Sequence, residues 1–386
     1  MNDELRATIE SLPADLESAS GDIAKLDVLI GLDGFVDNLT HVVDTRTDSE
    51  TYSHITSIGD FGKRVLSASG LSTNMELVTY QTKPGGNGPN MAAALLEYGT
   101  RLSYFGAIGQ PGRIDPVFRG MADRCANVYA FAPPARTDAL EFFDGKVMLG
   151  KMSVLSDVTW ENVRDGFGGA PEMAGAVARA GLLGIENWTM LPHMSRIWQG
   201  MIDEVFPLLP NKPPAERPFA FFDLCDPVKR STADIAHALG LITRFSDKFR
   251  VILGLNHKEM FEIAPALGIN AGGYTADPAT DKELSRTIYE KLGIHTLVVH
   301  PVREAFAWSG GEFSHVTGPY CEKPVLTTGA GDNFNAGFAL CAALNLCTHK
   351  ALALGVATSG FYVRNGRSPS LGEVCAFLRD WKNGKL

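Results

Sequence analysis

The strongest chemical signal in the sequence is a glycine-rich turn that carries an acidic residue, Gly329-Ala330-Gly331-Asp332, directly before an apolar helical stretch. The first backbone N–H groups of a helix have no partners within it and lie at the positive end of the helix dipole. Such a turn therefore predicts an anion site, and glycine lets a phosphoryl group approach the backbone without a Cβ in the way. Asp332 would lie beside that anion, although an Asp at this position can also serve simply as a helix cap.

A second polar pair, Asn256 and Glu259, follows the apolar run at 250–255. Residues three apart at the start of a helix share one face. Their oxygen atoms suit a Mg²⁺ ion that keeps its waters and bridges to substrate phosphates. The alternative is a capping box, in which the Asn is the N-cap and the Glu is the third helical residue.

A third segment, GGNGPN at 85–90, combines exposed backbone with two carboxamide side chains. These groups can hydrogen-bond several hydroxyls of a polyol, and their spacing differs from the G-x-G-x-x-G of dinucleotide-binding turns. Asp33 and Asp37, which follow the first apolar run, could accept further hydroxyls. Either could instead only cap a turn.

These polar residues follow short apolar runs that alternate with helical stretches, which predicts a parallel sheet covered by helices on both faces. Ligands of open α/β sheets bind beyond the carboxyl ends of the strands. The side chains expected at that edge, together with the turn before residue 331, are Asp33, Asp37, Glu186, Asn187, Asp223, Asp226, Asn256 and Glu259. The sequence therefore predicts an α/β fold with one polar site at one edge of its sheet.

Two segments, near 35–55 and 125–155, do not fit this alternation. Residues 137–153 alternate apolar and polar side chains around Asp144-Gly145, which predicts a hairpin. We expect these segments to form a small β-rich lid inserted in the N-terminal half. Residues 1–24 are predicted to be an N-terminal helical extension on the surface of a domain that spans 25–386.

The composition excludes several other classes of protein. Hydrophobic residues make up 45% of the chain and charged residues 20%, which is ordinary globular usage. The 35 Lys and Arg against 44 Asp and Glu give a net charge of -9, and without a basic run we expect neither nucleic acid nor membrane as a partner. The sequence has no apolar run of the length of a membrane span, no signal-peptide pattern and no C-x-x-C among six cysteines, so we predict a cytoplasmic protein. The absence of G-x-S-x-G and of a P-loop motif gives no support to a hydrolase or a P-loop enzyme.

The order and spacing of the three motifs resemble the ribokinase-like (PfkB-type) carbohydrate kinases. The segment GGNGPNMAAALLEYGTRLSYFGAIGQPG is similar to the N-terminal signature of that family, and TTGAGDNFNAGF is similar to its C-terminal signature. The resemblance covers about residues 25–380. It implies a Rossmann-type three-layer α/β/α sandwich with a β lid. It also implies transfer of the γ-phosphoryl group of ATP, with Mg²⁺, to a hydroxyl of a sugar, nucleoside or related polyol.

The resemblance further implies a role for each motif. Asp332 matches the base that takes the proton from the attacking hydroxyl, and Gly329, Ala330 and Gly331 match the anion hole for the transferring phosphoryl group. Asn256 and Glu259 match the N-x-x-E that organises Mg²⁺ and its waters. The matched substrate contacts are Gly86, Asn87, Asn90 and Asp37, with Asp33 as a further candidate. The expected nucleotide contacts are Thr328, His300, Arg303 and Gly355.

The chain also departs from the family pattern at three places. Leu326 stands where the family usually has an Asp that helps hold a monovalent cation, so we expect activity nearly independent of such a cation. His300 and Val302 replace the usual Thr-x-Gly that touches the nucleotide phosphates, and Arg303 could either supply a replacement cation or face solvent. The stretch FFDLCDPVKR is only loosely similar to the family's Asp-Pro-Asn-x-Arg, which leaves Asp226 and Arg230 without an assigned role.

Two other functions are compatible with these departures. ADP-dependent sugar kinases share N-x-x-E and G-A-G-D, so ADP is an alternative donor. A sugar- or nucleotide-sensing protein without catalysis could use the same fold, but it would have no chemical need for Asp332, Asn256 and Glu259. The sequence does not identify the sugar. It also leaves the oligomeric state open, although lids with exposed strand edges often pair in homodimers in this family.

Overall fold

The short apolar runs of the sequence form strands, and the longer amphipathic stretches form helices. The computed structural model describes residues 2–274 and 277–386. The strands of this part are β1 (Asp27–Leu32), β2 (Phe35–Arg46), β3 (Tyr52–His54), β4 (Leu77–Gly85), β5 (Arg101–Gly106), β6 (Gly109–Gln110), β7 (Arg113–Ile114), β8 (Asn127–Ala130), β9 (Ala135–Phe142), β10 (Gly145–Lys151), β11 (Leu182–Ile185), β12 (Phe219–Asp223), β13 (Arg250–Leu255), β14 (Thr296–Val299), β15 (Glu304–Ser309) and β16 (Glu312–Thr317). The α-helices are α1 (Asp3–Ser18), α2 (Ser20–Ile23), α3 (Ile58–Ser67), α4 (Asn87–Glu97), α5 (Arg119–Ala122), α6 (Trp160–Gly166), α7 (Ala170–Arg179), α8 (Met194–Gly200), α9 (Thr232–Phe245), α10 (His257–Ile263), α11 (Pro278–Leu292), α12 (Ala330–Ala343), α13 (Thr348–Asn365) and α14 (Leu371–Lys382).

The main sheet has the strand order β16-β15-β14-β13-β12-β11-β1-β5-β8. Its strands pair in parallel from β14 to β8, as the continuous apolar runs predicted. At the other edge, β15 pairs antiparallel with β14 and with β16. The sequence analysis did not predict β15 and β16. The sequence signal for that hairpin is Gly310-Gly311, where φ is 60° and 80°.

Helices cover both faces of this sheet because successive strand residues point to opposite sides. In β1, Leu29 and Leu32 pack into a hydrophobic cluster with helices α6 to α11. Val28 and Ile30 pack into a second cluster, which includes α1, α4, α12, α13 and α14. The predicted three-layer α/β/α sandwich is confirmed.

A smaller sheet of the described residues has the order β10-β9-β2-β3, with β4 also paired to β2. The predicted hairpin around Asp144-Gly145 is the pair β9 and β10. Two details differ from the predicted lid segments. Strand β4 is a third contributor, and β8, which falls within 125–155, pairs with β5 in the main sheet. The register is set by long-range pairing of β2 with β9, which local patterns do not reveal.

The N-terminal helical segment is part of the main body. Leu5, Ile9, Leu12 and Leu16 lie one or two turns apart on α1 and are each at most 2% exposed. They join the same core as α13 and α14, and Lys382 on α14 pairs with Glu10 at 2.6 Å. The predicted N-terminal helical extension therefore packs against the core by its apolar face and forms part of one helical layer of the sandwich.

Within the described residues, no helix combines the length and the apolar character needed to cross a membrane. All six cysteines are free thiols.

Candidate active site

The polar residues predicted at the carboxyl edge of the sheet surround a cavity of about 550 Å³. It lies between the ends of β11, β12 and β13, the start of α12 and the lid strands β2, β9 and β10. The predicted residues that line it are Asp37, Gly86, Asn87, Asn90, Asn256, Glu259, His300, Thr328, Gly329, Gly331 and Asp332. The three sequence motifs therefore meet in one place.

Asp332 lies in the first turn of α12 and is only 6% exposed. Its two carboxylate oxygens accept hydrogen bonds from the side-chain amides of Asn87, at 2.9 Å, and Asn90, at 2.8 Å. Burial raises the pKa of Asp332 to about 7, and the Asn90 hydrogen bond opposes that rise. The carboxylate is therefore fixed in orientation and has the proton affinity of a base that works near neutral pH.

The turn before Asp332 has the geometry of an anion hole. Gly329 has a φ of 92°, which favours glycine, and a Cβ there would lie 2.8 Å from the Tyr362 hydroxyl. That hydroxyl donates a hydrogen bond to the Thr328 carbonyl and holds the turn in place. In the described backbone the N–H groups of Gly331 and Asp332 have no acceptor, so they are free to bind an anion.

Asp33 does not line the cavity. It is fully buried and accepts hydrogen bonds from the backbone N–H groups of Asn87 and Gly88, both at 2.9 Å, and from the Asn187 side chain at 2.7 Å. These bonds satisfy the first N–H groups of α4, which explains why that helix begins at Asn87. The capping interpretation of Asp33 thus replaces the proposed substrate contact.

The lid supplies side chains to one end of the cavity. Asp37 of β2 is 8% exposed there, and its carboxylate leaves no room for a Cβ on Gly85, which would lie 2.2 Å away. Sequence reasoning did not identify the remaining lining residues of this end, because only the folded lid brings them together. They are Phe35, Thr137, Met148, Gly150 and Met152.

Asn256 and Glu259 form the capping box that was the alternative to a metal role. The Asn256 side chain accepts from the Glu259 N–H, and the Glu259 carboxylate accepts from the Asn256 N–H at 2.8 Å. The other Glu259 oxygen accepts from the Asp226 N–H at 2.8 Å. Burial, followed by the nearby charge of Asp223, raises the pKa of Glu259 to about 8. The cap fixes the carboxylate at the cavity wall and does not remove it from the site.

Two further acidic side chains, Asp223 and Glu186, are buried at the ends of β12 and β11. Asp223 lines the cavity and accepts from the Asn335 side chain at 2.8 Å, and burial and the charge of Asp332 raise its pKa to about 7. Glu186 is fully buried, and neither of its oxygens has a partner among the described residues. Burial, followed by the nearby charge of Asp223, raises the pKa of Glu186 well above its usual range. The sequence analysis placed both residues at the carboxyl edge of the sheet, but no motif gave either of them a role.

A second cavity of about 400 Å³ shares Asn256, His300 and Gly331 with the first. Arg303 lines it and stacks over the Tyr320 ring at 3.6 Å. Burial lowers the pKa of His300 to about 4, so this imidazole is neutral near pH 7.

Gly355 lines neither cavity. A Cβ at this position would lie 2.8 Å from the Phe334 ring, so the glycine serves the close packing of α13 on α12. Its predicted contact with the nucleotide has no support in this placement.

The fold and this site together define a ribokinase-like carbohydrate kinase. The model of the prokaryotic ketohexokinase family matches residues 2–381, and the chain belongs to that family. A ketohexokinase of Haloferax volcanii is 27% identical over 372 residues, which are 95% of this chain and 93% of the relative.

Solved structures agree on the fold. Ribokinase of Arabidopsis thaliana, in complex with ribose and ATP, superposes with a TM-score of 0.61 at 15% identity and covers 92% of this chain and 98% of its own. Adenosine kinase of Sinorhizobium meliloti has a TM-score of 0.59 at 17% identity and covers 92% and 99%. The predicted family, fold and enzyme class are confirmed.

Proposed function

We propose that this protein transfers the γ-phosphoryl group of ATP to a hydroxyl of a ketohexose. The observation that carries the proposal is the buried Asp332, oriented by Asn87 and Asn90 at the mouth of a backbone anion hole. Membership of a family described as ketohexokinases supports the choice of sugar.

In the proposed reaction, Asp332 takes the proton of the attacking hydroxyl while the oxygen of that hydroxyl forms a bond to the γ-phosphorus. The bond from that phosphorus to the β-γ bridging oxygen breaks, and ADP leaves with that oxygen. The free N–H groups of Gly331 and Asp332 stabilise the charge on the transferring group, and Asp37 and Asn90 hold other hydroxyls. The cavity beside Arg303 and His300 is the proposed site of the nucleotide, with Thr328 near its phosphates.

The cavity wall fits a hard cation that is held partly through its own waters. Glu259, Asp223 and Asp226 offer carboxylate oxygens there, and Asn256 offers an amide. The described residues contain no group of three or more acidic, Cys or His side chains arranged to hold an ion directly. We therefore propose that Mg²⁺ binds here mainly when phosphate oxygens supply its remaining ligands. Such an ion would neutralise charge on those phosphates.

The test is phosphoryl transfer by the purified protein, with each of ATP and ADP as donor. Acceptors should include a ketohexose such as fructose, an aldohexose, an aldopentose and adenosine. We expect the highest kcat/KM for ATP with the ketohexose. A preference for another acceptor would contradict the proposed substrate, a preference for ADP would contradict the proposed donor, and ligand binding without turnover would favour a sensor.

Activity should change little when K⁺ is replaced by Na⁺ at constant ionic strength. Leu326 offers no carboxylate beside the anion hole, and a cation without an opposite charge or a full set of oxygens is poorly held. The rate should be measured in chloride salts of both ions and of a large organic cation. Strong activation by K⁺ would show that backbone carbonyls alone hold the ion.

We also propose that two copies pair through their lids. The lid exposes several large apolar side chains, among them Phe143 at 83%, Met148 at 51% and Tyr80 at 47% exposure. Such a patch on a sheet with an unpaired edge favours self-association. Light scattering should give the molar mass of a dimer for the parent. For Phe143→Glu it should give a larger fraction of monomer at the same concentration. A monomeric parent would contradict the proposal.

A further inference from the structure

The cavity beside Asp332 is lined by several acidic side chains, although the proposed reaction brings a phosphoryl group into it. Its lining contains the carboxylates of Asp37, Asp223, Asp226, Glu259 and Asp332. Among the described residues that line it, the only Lys or Arg is Lys229. A highly charged phosphoryl group in such a cavity is stabilised by positive charge.

Lys229 lies on a short turn that is attached to the proposed metal site. The turn begins at Asp226, whose φ of 58° places it in the left-handed region, and continues as a 3-10 helix over Pro227–Lys229. The backbone N–H of Asp226 donates to Glu259, so the turn is fixed relative to that carboxylate.

The ammonium group of Lys229 is not committed to a structural role. It pairs with Asp226 at 3.1 Å, but both side chains are nearly half exposed, at 49% and 46%. Pairs this exposed contribute little to stability, so the ammonium can exchange this partner for an anion at low cost. A long, flexible lysine also has the reach to follow a group that moves between donor and acceptor.

The neighbouring cation, Arg230, is committed elsewhere. Its guanidinium donates to the carbonyl of Leu191 at 3.0 Å and lies over the Trp188 ring at 4.8 Å. It does not line the cavity. Of these two consecutive cations, Arg230 therefore holds the segment after β11 in place, and Lys229 lines the cavity.

We propose that Lys229 binds the γ-phosphoryl oxygens of the nucleotide and follows them during transfer. This inference rests on the proposed function. A ketohexose is neutral, so it does not need a cation in the cavity. The γ-phosphoryl group is an anion, and we place it between the anion hole and the turn at 226–229, where it contacts Lys229. Lys229 then supplies the transition state with a positive charge that no other described side chain lining this cavity offers.

The test compares Lys229→Met with Lys229→Arg and with a matched control, Lys63→Met. Lys63 is also exposed and pairs with an Asp three residues earlier, Asp60, at 2.9 Å, but it lines neither cavity. Calorimetry should measure the Kd of a non-hydrolysable ATP analogue and of ADP for each protein. Steady-state kinetics with ATP and the ketohexose should follow.

For Lys229→Met we expect the analogue to bind about ten-fold more weakly, the size of one charge-assisted hydrogen bond, while ADP binds as before. We expect kcat to fall on the order of 10²-fold with little change in the KM of the sugar. Lys229→Arg should recover part of both losses, and Lys63→Met should match the parent.

Equal losses for the analogue and ADP would overturn the proposal, and so would an unchanged analogue Kd together with an unchanged kcat. Melting temperatures should be recorded for all variants. If Lys229→Met does not fold, Lys229→Gln, which keeps a polar end, takes its place in the same comparison. If the parent phosphorylates no ketohexose, the proposed function fails, and the analogue and ADP measurements still decide the role of Lys229.

Discussion

Asp332→Asn is expected to lower kcat by roughly 10²–10⁴-fold and to leave the KM of the sugar little changed. Asparagine has the size of the aspartate and can keep one acceptor toward Asn87 or Asn90, so the cavity keeps its shape. It cannot take a proton from the hydroxyl. The loss should therefore appear in turnover and not in binding.

The same variant should also change the pH dependence. Because burial raises the pKa of Asp332 to about 7, the carboxylate form is lost as the pH falls through that value. The kcat/KM of the parent should therefore fall below about pH 7, and the small residual activity of Asp332→Asn should lack the part of this fall that is due to Asp332. Asp223 has a similar pKa, so the fall belongs to both acids, and the variant is needed to separate them.

Asp234→Asn is the matched control, because Asp234 occupies the same third position of α9 that Asp332 occupies in α12. It is exposed and bonded to Ser231. An equal loss of kcat in both variants, or near-full turnover in Asp332→Asn, would show that Asp332 is only a helix cap and not the base.

The sequence was sufficient for the fold and for most of the candidate site because both rest on local signals. Apolar runs marked the parallel strands, and the start of α12 lay where the glycine-rich turn predicted it. The rule that ligands lie beyond the strand ends then grouped residues as distant as Asp37, Asn256 and Asp332, and the cavity contains all three.

The errors concern groups whose role depends on long-range contacts. Asp33 and Asp37 are both acids after the first strand, and no local pattern says which one faces the cavity. The structure separates them, because the N-terminus of α4 docks on Asp33 and uses its oxygens. Likewise, nothing in the sequence shows that Arg230 is held by carbonyl groups from 188–192 while Lys229 is not.

The roles of Asn256 and Glu259 illustrate a different limit. Sequence reasoning offered a capping box or a metal pair as alternatives. The structure contains the capping box, and it also places Glu259 in the cavity wall. The two roles are compatible, since a carboxylate that accepts two backbone N–H bonds still has lone pairs for a water of the metal. Only a variant that keeps the cap can distinguish them.

Glu259→Gln should raise the Mg²⁺ concentration for half-maximal rate by about 10–100-fold, the usual effect of losing a group that orders a metal's ligands. Glutamine keeps the length of the side chain and one acceptor for the Asn256 N–H, but it loses the charge and the acceptor for the Asp226 N–H. The matched control is Glu373→Gln, because Glu373 forms the same capping box with Ser370 at the start of α14, away from both cavities. A rate that depends on Mg²⁺ equally in both variants would leave Glu259 as a cap alone.

The pH dependence of the magnesium requirement gives an independent check on Glu259. Burial and the charge of Asp223 raise its pKa to about 8, so near neutral pH the carboxyl holds a proton when no metal is present. Metal binding must then displace that proton, and the Mg²⁺ requirement should fall as the pH rises toward 8. Titrations of rate against Mg²⁺ at several pH values should show this trend in the parent and in Glu373→Gln. In Glu259→Gln the part of the trend due to this proton should vanish, because the amide has no proton for the metal to displace.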